Sequence, residues 1–165
     1  MALHNLIRAA VATAALLLYA AVAQAGSTLS ERPGWVIMPS AHDYATLVER
    51  TNKAVEDSPI NIVTRASATV GAKSLGKTIP GNMVIGVYGP QFAVRMLDAS
   101  VQAGIEAPLR LYLTENDDGT ASLSYRTATH VFEPYFDDGG EALQSLASDL
   151  DGVLESIANQ AVGDG

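Results

Sequence analysis

The sequence contains two short acidic, glycine-containing stretches that could bind a cation, residues 115–119 (ENDDG) and 137–140 (DDGG). An EF-hand calcium loop needs oxygen ligands at alternating positions before its glycine and a bidentate glutamate six residues after it. Counted from Gly119, Thr114 takes the first ligand position and Tyr125 the glutamate position. The first stretch therefore predicts a hairpin turn. In the second, Asp138 is expected at the start of the last helix, where a carboxylate offsets the helix dipole.

His42 and His130 are the histidines that follow the first 25 residues. Together with a methionine they could bind copper, since imidazole and thioether groups both ligate that ion. They could also serve a serine hydrolase, although the Gly-x-Ser-x-Gly motif is absent from the sequence. We expect no metal site and no cofactor, and keep both histidines as the metal candidates. The methionines are Met38, Met83 and Met96.

Two arginines are better placed to bind a ligand. Arg110 precedes the acidic turn and Arg126 follows it, each on the face of the predicted hairpin that carries no leucine, next to Tyr112. Two guanidinium groups on one sheet face could bind an anion bidentately. They could equally pair with Glu115 or with a second copy of the chain.

A cleft beside the Tyr88-Gly89-Pro90 stretch and His130 is the other candidate location for a ligand. The sequence assigns no catalytic residue. The predicted ligand-binding residues are Arg110, Tyr112, Arg126, His130 and Tyr88.

These residues must be positioned by alternating strands and amphipathic helices. Leu109, Leu111 and Leu113 alternate with polar residues before the turn, and the same period of two follows it, which predicts a half-buried hairpin. Apolar residues at helical spacing predict helices in three segments. The predicted strands are 34–39, 59–68, 83–89, 109–114 and 121–126; the predicted helices are 40–57, beginning at Ser40, 90–104, and a long one from Glu141. In the second helix, Phe92, Val94, Met96 and Leu97 are expected to be buried.

The order predicts an α+β fold, β-α-β4-α, with a single antiparallel-rich sheet, two long helices on one face and a short inserted helix. We expect a cleaved signal peptide at 1–25, a flexible lead-in at 26–33 and one α+β domain at 34–162. The evidence for the first is an apolar run, Ala9–Val22, followed by Ala23-Gln24-Ala25.

The net charge and the composition limit the classes of partner that the protein is expected to bind. The chain carries 10 basic and 18 acidic residues, a net charge of −8 that becomes −9 when Arg8 is removed with the signal peptide. This excess of negative charge argues against nucleic acid and, after signal cleavage, against anionic membranes. The absence of cysteine excludes disulfides. We therefore expect a periplasmic or secreted protein.

The stretch 88–126, YGPQFAVRMLDASVQAGIEAPLRLYLTENDDGTASLSYR, resembles the central signature of the domain-of-unknown-function 302 family. The resemblance extends from Trp35 to Ile157 and implies the single-copy TATA-binding-protein-like fold. Two positions depart from the family pattern: Tyr88-Gly89-Pro90 replaces the usual Gly-Asn-Pro, and Ala107-Pro108 replaces Leu-Pro. The activity of such domains is generally unassigned.

The sequence as a whole favours an exported, non-catalytic α+β domain that binds a small ligand or a protein partner and forms a homodimer. The expected contact residues are Arg110, Tyr112 and Arg126 on the sheet face, or those of the cleft beside His130. The alternative is an exported metal- or haem-handling protein that uses His130, His42 and a methionine. A hydrolase is the third hypothesis.

Overall fold

The computed structural model describes residues 27–163; the predicted signal peptide, 1–25, lies outside them. Residues 27–33 contain no helix or strand. The backbone amide of Thr28 nevertheless donates a hydrogen bond to Oδ1 of Asn116, at 3.3 Å, which attaches this lead-in to the hairpin turn. In the described part of the chain, no helix is both long and apolar enough to cross a membrane.

One antiparallel sheet organises the domain. Its strands are β1 Trp35–Pro39, β2 Asn61–Ser67, β3 Asn82–Tyr88, β4 Leu109–Glu115 and β5 Ala121–Arg126. Their spatial order is β1-β5-β4-β3-β2, and every neighbouring pair is antiparallel. The predicted hairpin is confirmed as β4 and β5, placed at the middle of the sheet.

The turn between β4 and β5 is built from the acidic stretch. Gly119 has φ +83°, a backbone conformation that glycine adopts without strain. Asp118 accepts hydrogen bonds from the amide and the hydroxyl of Thr120, at 2.9 and 2.6 Å, and these bonds lower the pKa of its carboxyl. Asn116 is buried and accepts a hydrogen bond from the hydroxyl of Ser122 at 3.0 Å. These side chains stabilise a turn, as the sequence predicts.

The helices connect the strands and cover one face of the sheet. They are α1 Tyr44–Glu56, α2 Ala68–Ser74, α3 Pro90–Ala99, α4 Ala128–Phe132 and α5 Phe136–Val162, with 3₁₀ turns at Gln102–Glu106 and Glu133–Tyr135. The first helix begins later than predicted. Asp43 is its N-cap and accepts from the amide of Thr46 at 2.8 Å. Ser40 instead donates to the carbonyl of Ala121 at 2.8 Å, which joins β1 to the hairpin.

The last helix also differs from the prediction. It starts at Phe136, although Gly140 has non-helical angles (φ 57°, ψ −152°) that divide it. The regular segment that follows this kink begins at Glu141, the residue where the sequence pattern starts. Asp138 lies in the first turn of the preceding segment and accepts a hydrogen bond from the hydroxyl of Ser100.

The core lies between the sheet and the helices. Alternate residues of the inner strands point toward α1 and α5, and burying each such side chain contributes about 1.5–3 kcal/mol. The fully buried ones include Leu47, Ile85, Leu111, Leu113, Leu123, Leu143, Leu154 and Ile157. This arrangement confirms the α+β fold.

The short helix α3 buries fewer residues than expected. Met96 and Ala93 are buried and Phe92 packs against the core, but Val94 and Leu97 are 60% and 46% exposed. The prediction for those two residues was wrong. The helix packs against α5 and the following 3₁₀ turn along one side, so it buries a narrower stripe of residues than the number of its apolar residues suggests.

Candidate ligand-binding site

The register of the sheet sets the two arginines side by side. Leu111 pairs with Tyr125 across the hairpin, so the next position places Arg110 opposite Arg126. Arg126 is paired in turn with Trp35 of β1. Since Leu111 and Tyr125 face the helices, Trp35, Arg126 and Arg110 form a row on the other face, called here the open face.

A second row follows on the same face. Tyr112 is paired with Ser124 of β5 on one side and with Val84 of β3 on the other. The Tyr112 hydroxyl accepts a hydrogen bond from Nδ2 of Asn82 at 2.6 Å. That bond holds the phenol ring in place beside the arginines. Ser124 is fully buried.

A cavity of about 390 Å³ lies over these rows. Pockets for small molecules commonly range from about 300 to 1,000 Å³, so the volume is sufficient for one. Among the described residues it is lined by Trp35, Asn82, Val84, Glu106, Leu109, Arg110, Tyr112, Tyr125, Arg126 and Val131. Three of the predicted ligand-binding residues, Arg110, Tyr112 and Arg126, therefore share one cavity.

Within residues 27–163, neither guanidinium of the pair forms an ion pair or a side-chain hydrogen bond. The expected pairing with Glu115 does not occur. Glu115 lies at the other end of β4, where its carboxylate accepts from the amide of Gly81 at 2.6 Å. Two like charges on directly opposed residues destabilise a sheet. The pair is therefore an electrostatic cost within the described fold.

Glu106 adds one negative charge to the lining. Its Oε1 accepts a hydrogen bond from the hydroxyl of Tyr135 at 2.9 Å, which raises the pKa of that phenol. No ion pair within 4.0 Å links it to either arginine in the described part of the chain. Sequence reasoning did not identify Glu106, Trp35, Asn82 or Val84, because their convergence depends on strand pairing and on the 3₁₀ turn before β4.

Tyr88 occupies a different place. It lines a small apolar cavity of about 30 Å³, together with Gly89, Phe92 and Met96, among residues that face the helices. That volume is about the share of one water molecule in the liquid. Tyr88 does not line the main cavity, although the period of two along β3 places it on the same face as Gly86, the cross-strand partner of Arg110.

His130 lies near the arginine end of the sheet but does not line the main cavity. Its ring occupies the space beside Gly34, where an added Cβ would come within 2.1 Å of the imidazole. Its Nδ1 lies 3.5 Å from Oε2 of Glu133. The histidine therefore packs against the start of β1, which brings it close to Trp35.

The two histidines do not form one metal site. His42 follows β1 and its Nε2 lies 3.1 Å from the carbonyl oxygen of Gly163, whereas His130 packs before β1 begins. The intervening strand is five residues long, about 16 Å, which is far more than a shared ion spans. His42 is also half-buried and comes directly before Asp43, the N-cap of α1.

The remaining metal and hydrolase elements are also separated. Met38, Met83 and Met96 pack against the hydrophobic core. Across residues 27–163, no group of three or more histidine, cysteine, aspartate and glutamate residues could hold an ion. In that same range no serine hydroxyl bonds to a histidine ring: the Ser40 hydroxyl accepts only from the backbone amide of His42.

Comparison with known proteins agrees with the architecture. The profile of the family described as "Domain of unknown function DUF302" matches residues 36–160. The crystal structure of an uncharacterized conserved DUF302 protein from Bacillus stearothermophilus is similar, with a TM-score of 0.69 at 18% sequence identity, covering 79% of this chain and 99% of that chain. At this identity the likeness concerns the fold. No functionally curated protein matched the sequence. The match over most of the domain shows that the chain belongs to the DUF302 family.

Proposed function

We propose that this protein is an exported, periplasmic or secreted, non-catalytic domain that binds a small molecule in the arginine-lined cavity of its open face. The observation that carries the proposal is the arginine pair. Arg110 and Arg126 are adjacent across two strands, line a cavity of about 390 Å³, and have no partner in the described fold. A bound anion would remove the repulsion between them.

Binding, rather than catalysis, fits the ionisable groups that line the cavity. These groups are two guanidiniums, the Glu106 carboxylate and the Tyr112 phenol. Arginine stays protonated and serves as a recognition group. The Tyr112 phenol is engaged by Asn82. This set is suited to holding an anion, and it contains no nucleophile with an adjacent base.

Export is supported by the N-terminal sequence. The apolar run Ala9–Val22 followed by Ala23-Gln24-Ala25 has the form of a signal peptide with a cleavage site. The absence of cysteine is compatible with an oxidising compartment, because no thiol is left to oxidise.

A homodimer remains part of the proposal. The outer edge of β2 has no partner strand within the described residues, as β2 ends the sheet order. Val63 on β2 and Val70 on α2 are 50% and 68% exposed. An unpaired edge next to exposed apolar side chains is a surface that a second copy can cover.

One experiment addresses these parts together. The protein is expressed with its own N-terminus, recovered from the periplasmic fraction and measured by native mass spectrometry. We expect a chain mass that begins at Gly26, a dimer, and a small co-purifying molecule. That molecule should be lost from the Arg110→Gln/Arg126→Gln variant.

The matched control is Arg65→Gln/Arg95→Gln, which removes the same charge from arginines outside the cavity and should retain the molecule. Equal retention by both double variants, with both folded, would refute binding at the arginine pair. An intact residue 1 in the recovered protein would refute signal cleavage, and a monomer at micromolar concentration would refute the dimer.

A further inference from the structure

We infer that the cavity selects a monocarboxylate with an apolar body, such as a small aromatic or short-chain aliphatic acid. This inference rests on the proposed function, since it names the chemical class of the molecule that the same cavity would take. It follows from the balance of charge in the lining, from the shape of the cationic group and from what surrounds it.

The first step is the charge of the lining. Arg110 and Arg126 bring two positive charges and Glu106 one negative charge, so the lining is monocationic. The chain as a whole is strongly anionic, at −8. Long-range attraction therefore does not favour a polyanion. A ligand with a single negative charge makes the net charge of the occupied cavity zero, whereas a ligand with two would make it negative.

The second step is the geometry of the cationic group. Opposed residues of an antiparallel pair place their Cβ atoms about 4.5–5.5 Å apart. Two planar guanidiniums at that spacing can donate paired hydrogen bonds to the two oxygens of one carboxylate. The register places the Cβ atoms of Arg110 and Arg126 at this spacing, so both guanidiniums can reach the same carboxylate.

The third step is the remainder of the wall. Apart from the charged residues and Asn82, the residues around the cavity are apolar or aromatic: Trp35, Val84, Leu109, Tyr112, Tyr125 and Val131. Apolar area removed from water contributes about 25 cal/mol per Å². Inorganic phosphate would leave this wall in contact with water, whereas an aromatic or aliphatic body would cover it.

Glu106 then acts as a selectivity residue. Its carboxylate is held by the Tyr135 hydroxyl and does not neutralise either arginine within 4.0 Å among the described residues. A second negative charge on the ligand would meet it inside a cavity with low-dielectric walls, where like charges repel strongly. Dicarboxylates are therefore disfavoured relative to monocarboxylates of the same length.

Trp35 provides the measurement. It is the single tryptophan of the chain and lines the cavity, so its fluorescence reports occupancy directly. The purified protein is titrated with benzoate, hexanoate, adipate and inorganic phosphate. We expect saturable changes with benzoate and hexanoate, and affinities for adipate and phosphate that are at least about 10-fold weaker.

Three variants distinguish the role of the arginine pair from that of Glu106. Arg110→Gln/Arg126→Gln should weaken benzoate and hexanoate by about 100-fold, since each charge-assisted hydrogen bond is worth about 10-fold or more. Arg65→Gln/Arg95→Gln should leave them within about 2-fold. Glu106→Gln should strengthen adipate by about 10-fold while hardly changing hexanoate.

Three results would overturn the inference while leaving the binding function in place. These are arginine-dependent binding of phosphate that is tighter than that of benzoate, arginine-dependent binding of adipate that is tighter than that of hexanoate, and a loss of benzoate and hexanoate affinity in Glu106→Gln. The last result would show that Glu106 supports monocarboxylate binding instead of excluding a second negative charge. A fourth result would refute the proposed function as well: no probe changes Trp35 fluorescence, and the protein recovered from the periplasm carries no small molecule that depends on the arginine pair.

Discussion

Arg50 and the pair formed by Arg110 and Arg126 illustrate two opposite uses of the same side chain. Arg50 reaches from α1 to the end of α5, where its Nε donates to the carbonyl of Ala161 at 2.7 Å and its Nη2 to those of Gln160 and Gly163 at 2.9 and 2.5 Å. These carbonyls belong to the negative end of the helix dipole. Neither cavity arginine has such a partner in the described part of the chain.

The difference separates a side chain that stabilises the fold from two side chains that we propose bind a ligand. A guanidinium satisfied by three carbonyls contributes to stability through charge-assisted hydrogen bonds. A like-charged pair of arginines in register costs stability, and this cost supports our proposal that the pair binds an anion. The two sites therefore predict opposite responses to mutation.

The largest expected effect is at Arg50. Arg50→Ala removes three hydrogen bonds from the last turn of α5 and should lower the free energy of unfolding by about 2–3 kcal/mol. Chemical denaturation monitored by circular dichroism measures the change. Arg50→Lys retains the charge but not the planar fork, so it should recover part of the loss.

If Arg50→Ala were as stable as the parent protein, the capping role of Arg50 would be wrong and the contrast with the cavity arginines would fail. Carboxylate binding provides the second readout. Arg50 lies at the far end of the sheet from the cavity, so the Arg50 variants should bind benzoate as the parent protein does.

The next effect concerns Tyr125, whose side chain faces the helices from the opposite side of β5 to Arg126. Burial, then the nearby carboxylates of Glu155 and Asp151, raise the pKa of its phenol from 10.0 to about 12. The folded state thus holds this proton more tightly than the unfolded chain does. The resulting stability is fully present below pH 10 and is lost as the pH rises from about 10 to 12, by up to about 2–3 kcal/mol.

Tyr125→Phe tests this pH dependence. Between pH 10 and 12 the parent protein should lose stability faster than the variant, since phenylalanine has no proton to release. Denaturation midpoints across that range, with tyrosinate absorbance as a second probe, measure the difference. Parallel losses in both proteins would mean that Tyr125 titrates normally in the fold.

The smallest effect is expected at the cavity. Without ligand, Arg110→Gln/Arg126→Gln should leave the free energy of unfolding unchanged or raise it by about 0.5 kcal/mol, because it removes a like-charge pair. Thermal unfolding at low salt measures this change. Added salt should reduce the difference in stability between the variant and the parent protein, because it screens the repulsion. A clear loss of stability would show that the arginines have structural partners and would remove the contrast with Arg50.

The sequence was informative wherever the pattern is local. Alternating leucines predicted the β4–β5 hairpin and placed Arg110, Tyr112 and Arg126 on one face, because a period of two alone decides the face. The predicted start of α1 was wrong by four residues. Serine and aspartate are both favoured at the N-cap, so the pattern alone does not choose between Ser40 and Asp43. The hydrogen bond from Ser40 to Ala121, which the sequence does not show, leaves Asp43 as the N-cap.

What sequence could not supply was the pairing of distant strands. Trp35 reaches the cavity because β1 pairs with β5, some 90 residues along the chain, and Glu106 does so through a 3₁₀ turn without periodic signature. The same gap explains why the sequence could not show that Tyr88 and His130 lie outside the lining of the arginine cavity. Residue type indicated the chemistry that each could perform, but not the side of the sheet or the end of the strand where each would lie.

Both ends of the described chain lie at the end of the sheet that holds the β4–β5 turn. Thr28 is bonded to Asn116 of that turn, and Gly163 lies against His42, whose carbonyl accepts from Ala121 at the start of β5. The arginine row lies at the opposite end of the same strands. A tag, a sensor surface or a fused fluorescent protein attached at either terminus would therefore leave the mouth of the cavity unobstructed. Tethering through a terminus is thus a practical way to immobilise this protein for ligand screening.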